Sequence, residues 1–170
     1  MSAYVALLRA VNVGGTAKLP MSELKAMCIA ENFENVRTYI ASGNVVFSCE
    51  QTELEVKAAL EKRLTTYTGK SVGVMVRTAR EMADIVEANP FPDAPRNRTV
   101  AIFLDASPSV NTLETVSGRK DEEIILGRRE IYVAYGADMG RSKLRIPAAA
   151  NGTARNINTI ARLADILASI

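Results

Sequence analysis

Tyr4-Val-Ala-Leu-Leu8 is apolar at every position. A strand with one wet face alternates apolar and polar residues, so this stretch predicts a strand buried on both faces. It leaves through Arg9 into a glycine-bearing loop, Asn12-Val-Gly-Gly-Thr-Ala-Lys18. Pro20 then suits the first turn of a helix, where its missing N–H would have had no partner. Met21, Leu24, Met27 and Cys28 follow at helical spacing and give that helix an apolar stripe.

Working outward, Val36 to Ala41 alternates as a strand, Ser42-Gly43-Asn44 is turn chemistry, and Val45-Val46-Phe47 resumes an antiparallel partner. Thr52 and Glu55 form a capping box. The helix it opens carries Val56, Leu60, Leu64 and Tyr67 and stops at Gly69. Val72, Val74 and Val76 alternate as a fourth strand. The order β-α-β-β-α-β over residues 1–77 is that of a ferredoxin-like plait, an antiparallel sheet with both helices on one face.

Residues 78–170 begin with a second capping box, Thr78 to Glu81, and a helix that ends at Asn89-Pro-Phe-Pro92. A strand over Thr99 to Leu104 and a short helix from Ser107-Pro108 to about Gly118 come next. Strands over Glu123 to Leu126 and Ile131 to Tyr135 are joined by Gly127-Arg-Arg-Glu130, and a loop to about Thr153 leads into a long C-terminal helix. The expected fold is therefore α+β: two packed ferredoxin-like plaits, the second with an extra leading helix and an incomplete strand set. Arg77 passes directly into the Thr78 cap with no linker, so the halves are expected to pack as one unit, the second covering the open face of the first sheet.

Composition narrows the function. With 48% hydrophobic and 24% charged residues the chain is an ordinary globular protein. No apolar run is long enough to cross a bilayer and no signal pattern opens the chain, so a cytoplasmic location is expected. Histidine is absent and there are two cysteines, Cys28 and Cys49. That excludes histidine-dependent triads and any cysteine–histidine zinc site, and no metal or cofactor is expected. The RNA-recognition form of the plait needs aromatics on its third strand, where this chain offers only Phe47. That mode is excluded.

The net charge of +2 is unevenly spread. No acid precedes Glu23, although Arg9 and Lys18 do; between Asp138 and Asp165 there is again none, yet Arg141, Lys143, Arg145, Arg155 and Arg162 occur. The two basic segments are candidates for an anion site.

Several motifs carry a family resemblance. Leu7-Leu-Arg-Ala-Val-Asn-Val-Gly-Gly15, Lys18-Leu-Pro-Met21, Tyr39-Ile-Ala-Ser-Gly-Asn-Val-Val-Phe47, Gly127-Arg-Arg-Glu-Ile-Tyr132, Ser142-Lys-Leu144 and Thr153-Ala-Arg-Asn-Ile-Asn-Thr159 occur in that order. Together they resemble the bacterial family called domain of unknown function 1697 (DUF1697). The resemblance implies paired ferredoxin-like subdomains and transfers no activity. Two positions depart from its pattern: Ala10 stands where glycine is usual, and Ile157 where tryptophan is usual.

The candidate ligand contacts are Arg9, Asn12, Gly14, Gly15, Lys18, Lys143 and Arg155, with Ser42, Asn44 and Asn156 secondary. Glycines between a strand and a helix expose backbone N–H groups to an anion. The competing reading is that Gly14 and Gly15 simply permit a tight turn, for neither phosphate-loop fingerprint is present. Ser42 and Asn44 are default turn residues, and they are expected at the opposite end of the strands from Arg9. Asn156 reads as an N-cap, with Thr159 three residues on. Arg155, ahead of the positive end of a helix, is poorly explained by helix stability and is grouped with Ser142 and Lys143. Three functions remain open: binding of a small anionic ligand, phosphorylated ones included; a phosphate-ester or acyl-phosphate enzyme on the same surface; and a protein-interaction or oligomerising module.

Overall fold

A computed structural model describes residues 1–13 and 18–170. By its internal contacts the chain divides into two compact units, Met1–Asp84 with Ala161–Ile170, and Ile85–Ile160. The described residues form four α-helices and two four-stranded antiparallel sheets.

The first unit runs β1 (Ser2–Leu8), α1 (Met21–Ala30), β2 (Glu34–Thr38), β3 (Asn44–Cys49), α2 (Glu53–Thr68) and β4 (Val74–Thr78), with strands in the order β2-β3-β1-β4. Helix α1 buries Leu24, Met27 and Cys28, and α2 buries Val56, Leu60 and Leu64. Both stripes join one core with Tyr4, Ala6 and Leu8 of β1 and Val45 and Phe47 of β3. Each such leucine contributes about 1.5–3 kcal/mol by leaving water. The capping box forms as its spacing predicts: Glu55 N–H donates to Thr52 Oγ1 at 3.3 Å and Thr52 N–H to Glu55 Oε2 at 3.0 Å. Gly69 ends α2 at φ +74°, its N–H reaching Thr65 O.

The other face of the sheet is equally dry. Val5 lies opposite Val46 and Arg77, and Leu7 opposite Asn44 and Met75; none of these six is more than 3% exposed. The unbroken apolar run in β1 thus marks a strand buried on both sides.

The second unit holds β5 (Thr99–Phe103), β6 (Glu123–Leu126), β7 (Glu130–Ala134) and β8 (Thr153–Asn156), in the order β6-β7-β5-β8. Helices α3 (Ala79–Glu87) and α4 (Ile157–Ala168) each begin in one unit and end in the other. The expected cap of α3 is present, Glu81 N–H donating to Thr78 Oγ1 at 3.1 Å.

The second unit departs from expectation in two places. The second sheet does not lack its last strand: Thr153–Asn156 pairs antiparallel with β5, Ala101 facing Arg155. It escapes a reading by hydrophobicity because its buried positions are Thr153 and Arg155 while Ala154 faces out. The short helix expected from Ser107 to Gly118 is reduced to a 3-10 turn over Thr112–Thr115. Val110 is 90% exposed and Leu113 43%, so the segment has no apolar stripe to bury, and a helix this short does not hold by propensity alone. In place of long helices, this sheet's core is lined by half-buried loop residues, among them Val116, Met139, Leu144 and Ile146.

Candidate functional site

Because β1 and β3 are antiparallel, the last residues of β1 lie beside the first of β3. Leu7 faces Asn44, and Leu8 N–H donates to Gly43 O at 2.8 Å. On the other side Arg9 N–H donates to Gly73 O at 2.9 Å, at the foot of β4. The strand 1 exit and the β2–β3 turn therefore share one end of the sheet. The expectation that Ser42 and Asn44 sit at the opposite end from Arg9 is wrong, for it overlooked that antiparallel pairing folds these ends together.

Asn12 fastens the two loops. Its Nδ2 donates to Leu19 O and to Ala41 O, both at 2.8 Å, while Leu19 N–H donates to its Oδ1 at 2.7 Å. Both amide hydrogens are used within the chain, so Asn12 acts as a clip between Leu19 and Ala41. Asn44 is fully buried and donates to Tyr39 O and Ser42 Oγ, closing its own hairpin. Arg9 and Lys18 are exposed at this end. Gly14 and Gly15 lie outside the described residues.

Backbone strain gathers at the same place. Among the described residues five non-glycines have positive φ: Ala10, Asn12, Asn32, Asn35 and Ile40. Asparagine tolerates this region, whereas alanine pays about 1–2 kcal/mol and a β-branched residue is an outlier there. The two that do not suit it, Ala10 (φ +56°) and Ile40 (φ +50°), both flank the Asn12 clip. Gly43, at φ +90°, admits no side chain: a Cβ there would meet Val11 Cγ2 at 2.6 Å and Leu8 Cβ at 2.9 Å. A glycine at position 10 would hold φ +56° without this strain.

In the second unit Lys143 borders a cavity of about 760 Å3, together with Arg119, Lys120, Glu122, Arg141 and Ser142. Glu122 is only 3% exposed. Its carboxylate accepts from the Ser142 hydroxyl and, at 2.6 Å, from Lys120 N–H. These two hydrogen bonds, the Ser142 hydroxyl foremost, hold the carboxyl below its ordinary range. Ser142 is therefore engaged by a carboxylate of the chain itself. Sequence reading missed Glu122, and only the acid's nearness to the Gly118-Arg-Lys120 turn hints at it.

Arg155 does not sit in a loop before the last helix but in β8, 8% exposed. Its Nη1 donates to Thr153 Oγ1 at 2.8 Å and Ala154 O at 2.9 Å, and burial pushes its pKa down to about 10. It is not among the residues lining the Lys143 cavity. Asn156 caps α4 as its spacing predicts, Thr159 N–H donating to its Oδ1 at 2.9 Å.

A groove of about 790 Å3 between α1 and α2 is crossed by the Arg63 Nε–Glu31 Oε2 bridge of 2.6 Å, and none of the candidate residues lines it. Phe47 is buried, stacked on Phe33 at 4.4 Å between ring centroids. Burial pushes the Cys28 thiol up to about 12, which leaves it inert near neutral pH. Among the described residues no three acids or cysteines gather as a metal site requires, and no helix is long and apolar enough to cross a membrane.

No curated protein matches the chain. Among solved structures it is similar to a conserved bacterial protein from Streptococcus pneumoniae, at 23% identity and a TM-score of 0.79, over 98% of each chain. That likeness shows the fold alone. The family DUF1697, described as protein of unknown function, matches residues 1–132, a stretch that holds the whole first sheet with its clipped loops, and the chain belongs to that family.

Proposed function

We propose that this is a cytoplasmic protein that binds a small anionic, phosphorylated ligand at the open end of the first sheet. In this reading both units are ferredoxin-like plaits, the second with its helices shortened to turns. Arg9 and Lys18 supply charge, Gly14 and Gly15 supply backbone N–H groups, and Asn12 holds the loop in shape. Lys143 is proposed separately, as an anion contact within the second unit's own cavity, and Arg155, buried in β8, is not assigned to either place.

The carrying observation is the coincidence of strain and charge. Ala10 follows Arg9 directly, and Ile40 precedes Ala41, whose carbonyl accepts from the same Asn12 amide that bonds Leu19 next to Lys18; both hold unfavourable backbone conformations. Strain of this kind persists where the surroundings over-determine it, and it concentrates at ligand-binding positions. The test is a thermal-shift screen of nucleotides, sugar phosphates and coenzymes on the natural protein, Arg9→Ala and Lys18→Ala. A ligand at a hundred times its Kd stabilises by about 2.7 kcal/mol, an easily resolved shift. Stabilisation of the natural protein that is lost in both variants supports the site; no stabilisation by any anion removes it. Turnover of a stabilising ester would make the protein an enzyme.

A further inference from the structure

Ile40 is the residue local energetics would choose last for its position. It sits in the β2–β3 turn at φ +50°; among the described residues the other left-handed positions hold glycines, Asn12, Asn32, Asn35 and the small Ala10. A β-branched side chain clashes with its own backbone there, and asparagine or glycine would not. Burial does not repay the strain either, because Ile40 is 51% exposed. The position thus combines a strained backbone with an apolar side chain left in water. Either cost alone is ordinary in a loop. Both together, with a cheaper residue available, point to a use for the side chain outside the fold.

Its surroundings say which use. Ala41, next in the chain, accepts from Asn12 Nδ2 at 2.8 Å, which sets Ile40 next to the strand 1 exit. Val13, one residue beyond Asn12, is 61% exposed. Two apolar side chains therefore flank the Asn12 clip: Val13 lies four residues from Arg9 and five from Lys18 along the chain, and Ile40 is brought to the same end by the Ala41–Asn12 bond. We infer that Ile40 and Val13 form an apolar wall of this site, and that the ligand joins an anionic group to an apolar one, as an alkyl or aryl phosphate monoester does. The inference rests on the anion-binding reading above and names its substrate class.

Calorimetric titration with methyl phosphate and hexyl phosphate separates the two claims. In the natural protein hexyl phosphate binds at least about tenfold tighter than methyl phosphate, since each buried methylene is worth up to about fourfold. Ile40→Asn relieves the strained backbone, so it melts at or above the natural protein, keeps its methyl phosphate affinity and loses most of the chain-length advantage. Arg9→Ala weakens both esters alike. Equal affinity for the two esters, or an undiminished advantage in Ile40→Asn, overturns the apolar wall and leaves the anion site standing. A clear fall in the melting temperature of Ile40→Asn also overturns it, because it shows that Ile40 is held for packing. Failure of both esters to bind at millimolar concentration, or binding indifferent to Arg9→Ala, removes the anion site and the wall with it.

Discussion

In the first sheet Leu8 N–H donates to Gly43 O at 2.8 Å, and in the second Leu104 N–H donates to Arg129 O at 2.9 Å. Each central strand thus leaves its sheet pinned to the hairpin beside it, and the two strand orders correspond, β2-β3-β1-β4 and β6-β7-β5-β8. What differs is the covering. Helices of 10 and 16 residues lie on the first sheet, whereas the links of the second carry only 3-10 turns and half-buried loop side chains. A sheet of this order needs its exit pinned and one face kept dry, and long helices are one of two ways to do the second.

The largest expected effect tests that difference in covering. Leu60→Ala empties a fully buried site beneath α2 and costs about 3 kcal/mol, as core truncations do. Leu144→Ala removes a half-buried loop residue from the second core and costs about 1 kcal/mol. Urea denaturation measures both, and equal losses would break the comparison.

Next in size is the hydrogen bond that organises the second unit's loops. Ser142→Ala takes a donor from the buried Glu122 carboxylate and costs about 1–3 kcal/mol at pH 7. Glu122 has its folded pKa depressed, so its contribution is fully present above the ordinary carboxylate value of about 4.3 and fades as pH falls through the lower folded value. Urea midpoints between pH 3 and pH 7 should therefore show the gap between the natural protein and Glu122→Gln closing toward acid. A gap that widens toward acid would mean the carboxyl is not depressed.

The smallest effect sharpens the contrast between the two exits. Ala10→Gly places at φ +56° the residue that accepts it, and is expected to raise stability by roughly 0.5–1 kcal/mol, the relieved strain exceeding the entropy glycine adds to the unfolded chain. A melting curve suffices, and a loss would show that Ala10 makes a contact worth more than its strain.

What could be read in the residues was whatever their own side chains announce. Thr52 with Glu55, Gly69, and the apolar run Tyr4 to Leu8 state their structural roles outright, and each forms as expected. Strand β8 could not be read this way, since it buries Thr153 and Arg155, whose hydrogen bonds to their neighbours stand in for hydrophobicity. The candidate site was legible as a set of charges and glycines but not as a shape. The partner that makes Asn12 a clip is a backbone carbonyl 29 residues away, and a carbonyl has no sequence signature. The shared end of β1 and the β2–β3 turn was, by contrast, deducible from antiparallel pairing alone.

Helix α4 begins in the second unit and finishes in the first. In terms of synthesis, the first unit is begun early and completed last: its sheet and two helices precede the second unit entirely, yet Ala161–Ile170 emerges only after it. The early part must wait, with some of its contacts unmade, while the rest of the chain is added, and closing it spans a long separation in sequence. The first unit is thereby closed by a segment made after the second, and a lesion in Ala161–Ile170 would be felt in the part of the molecule that was begun first.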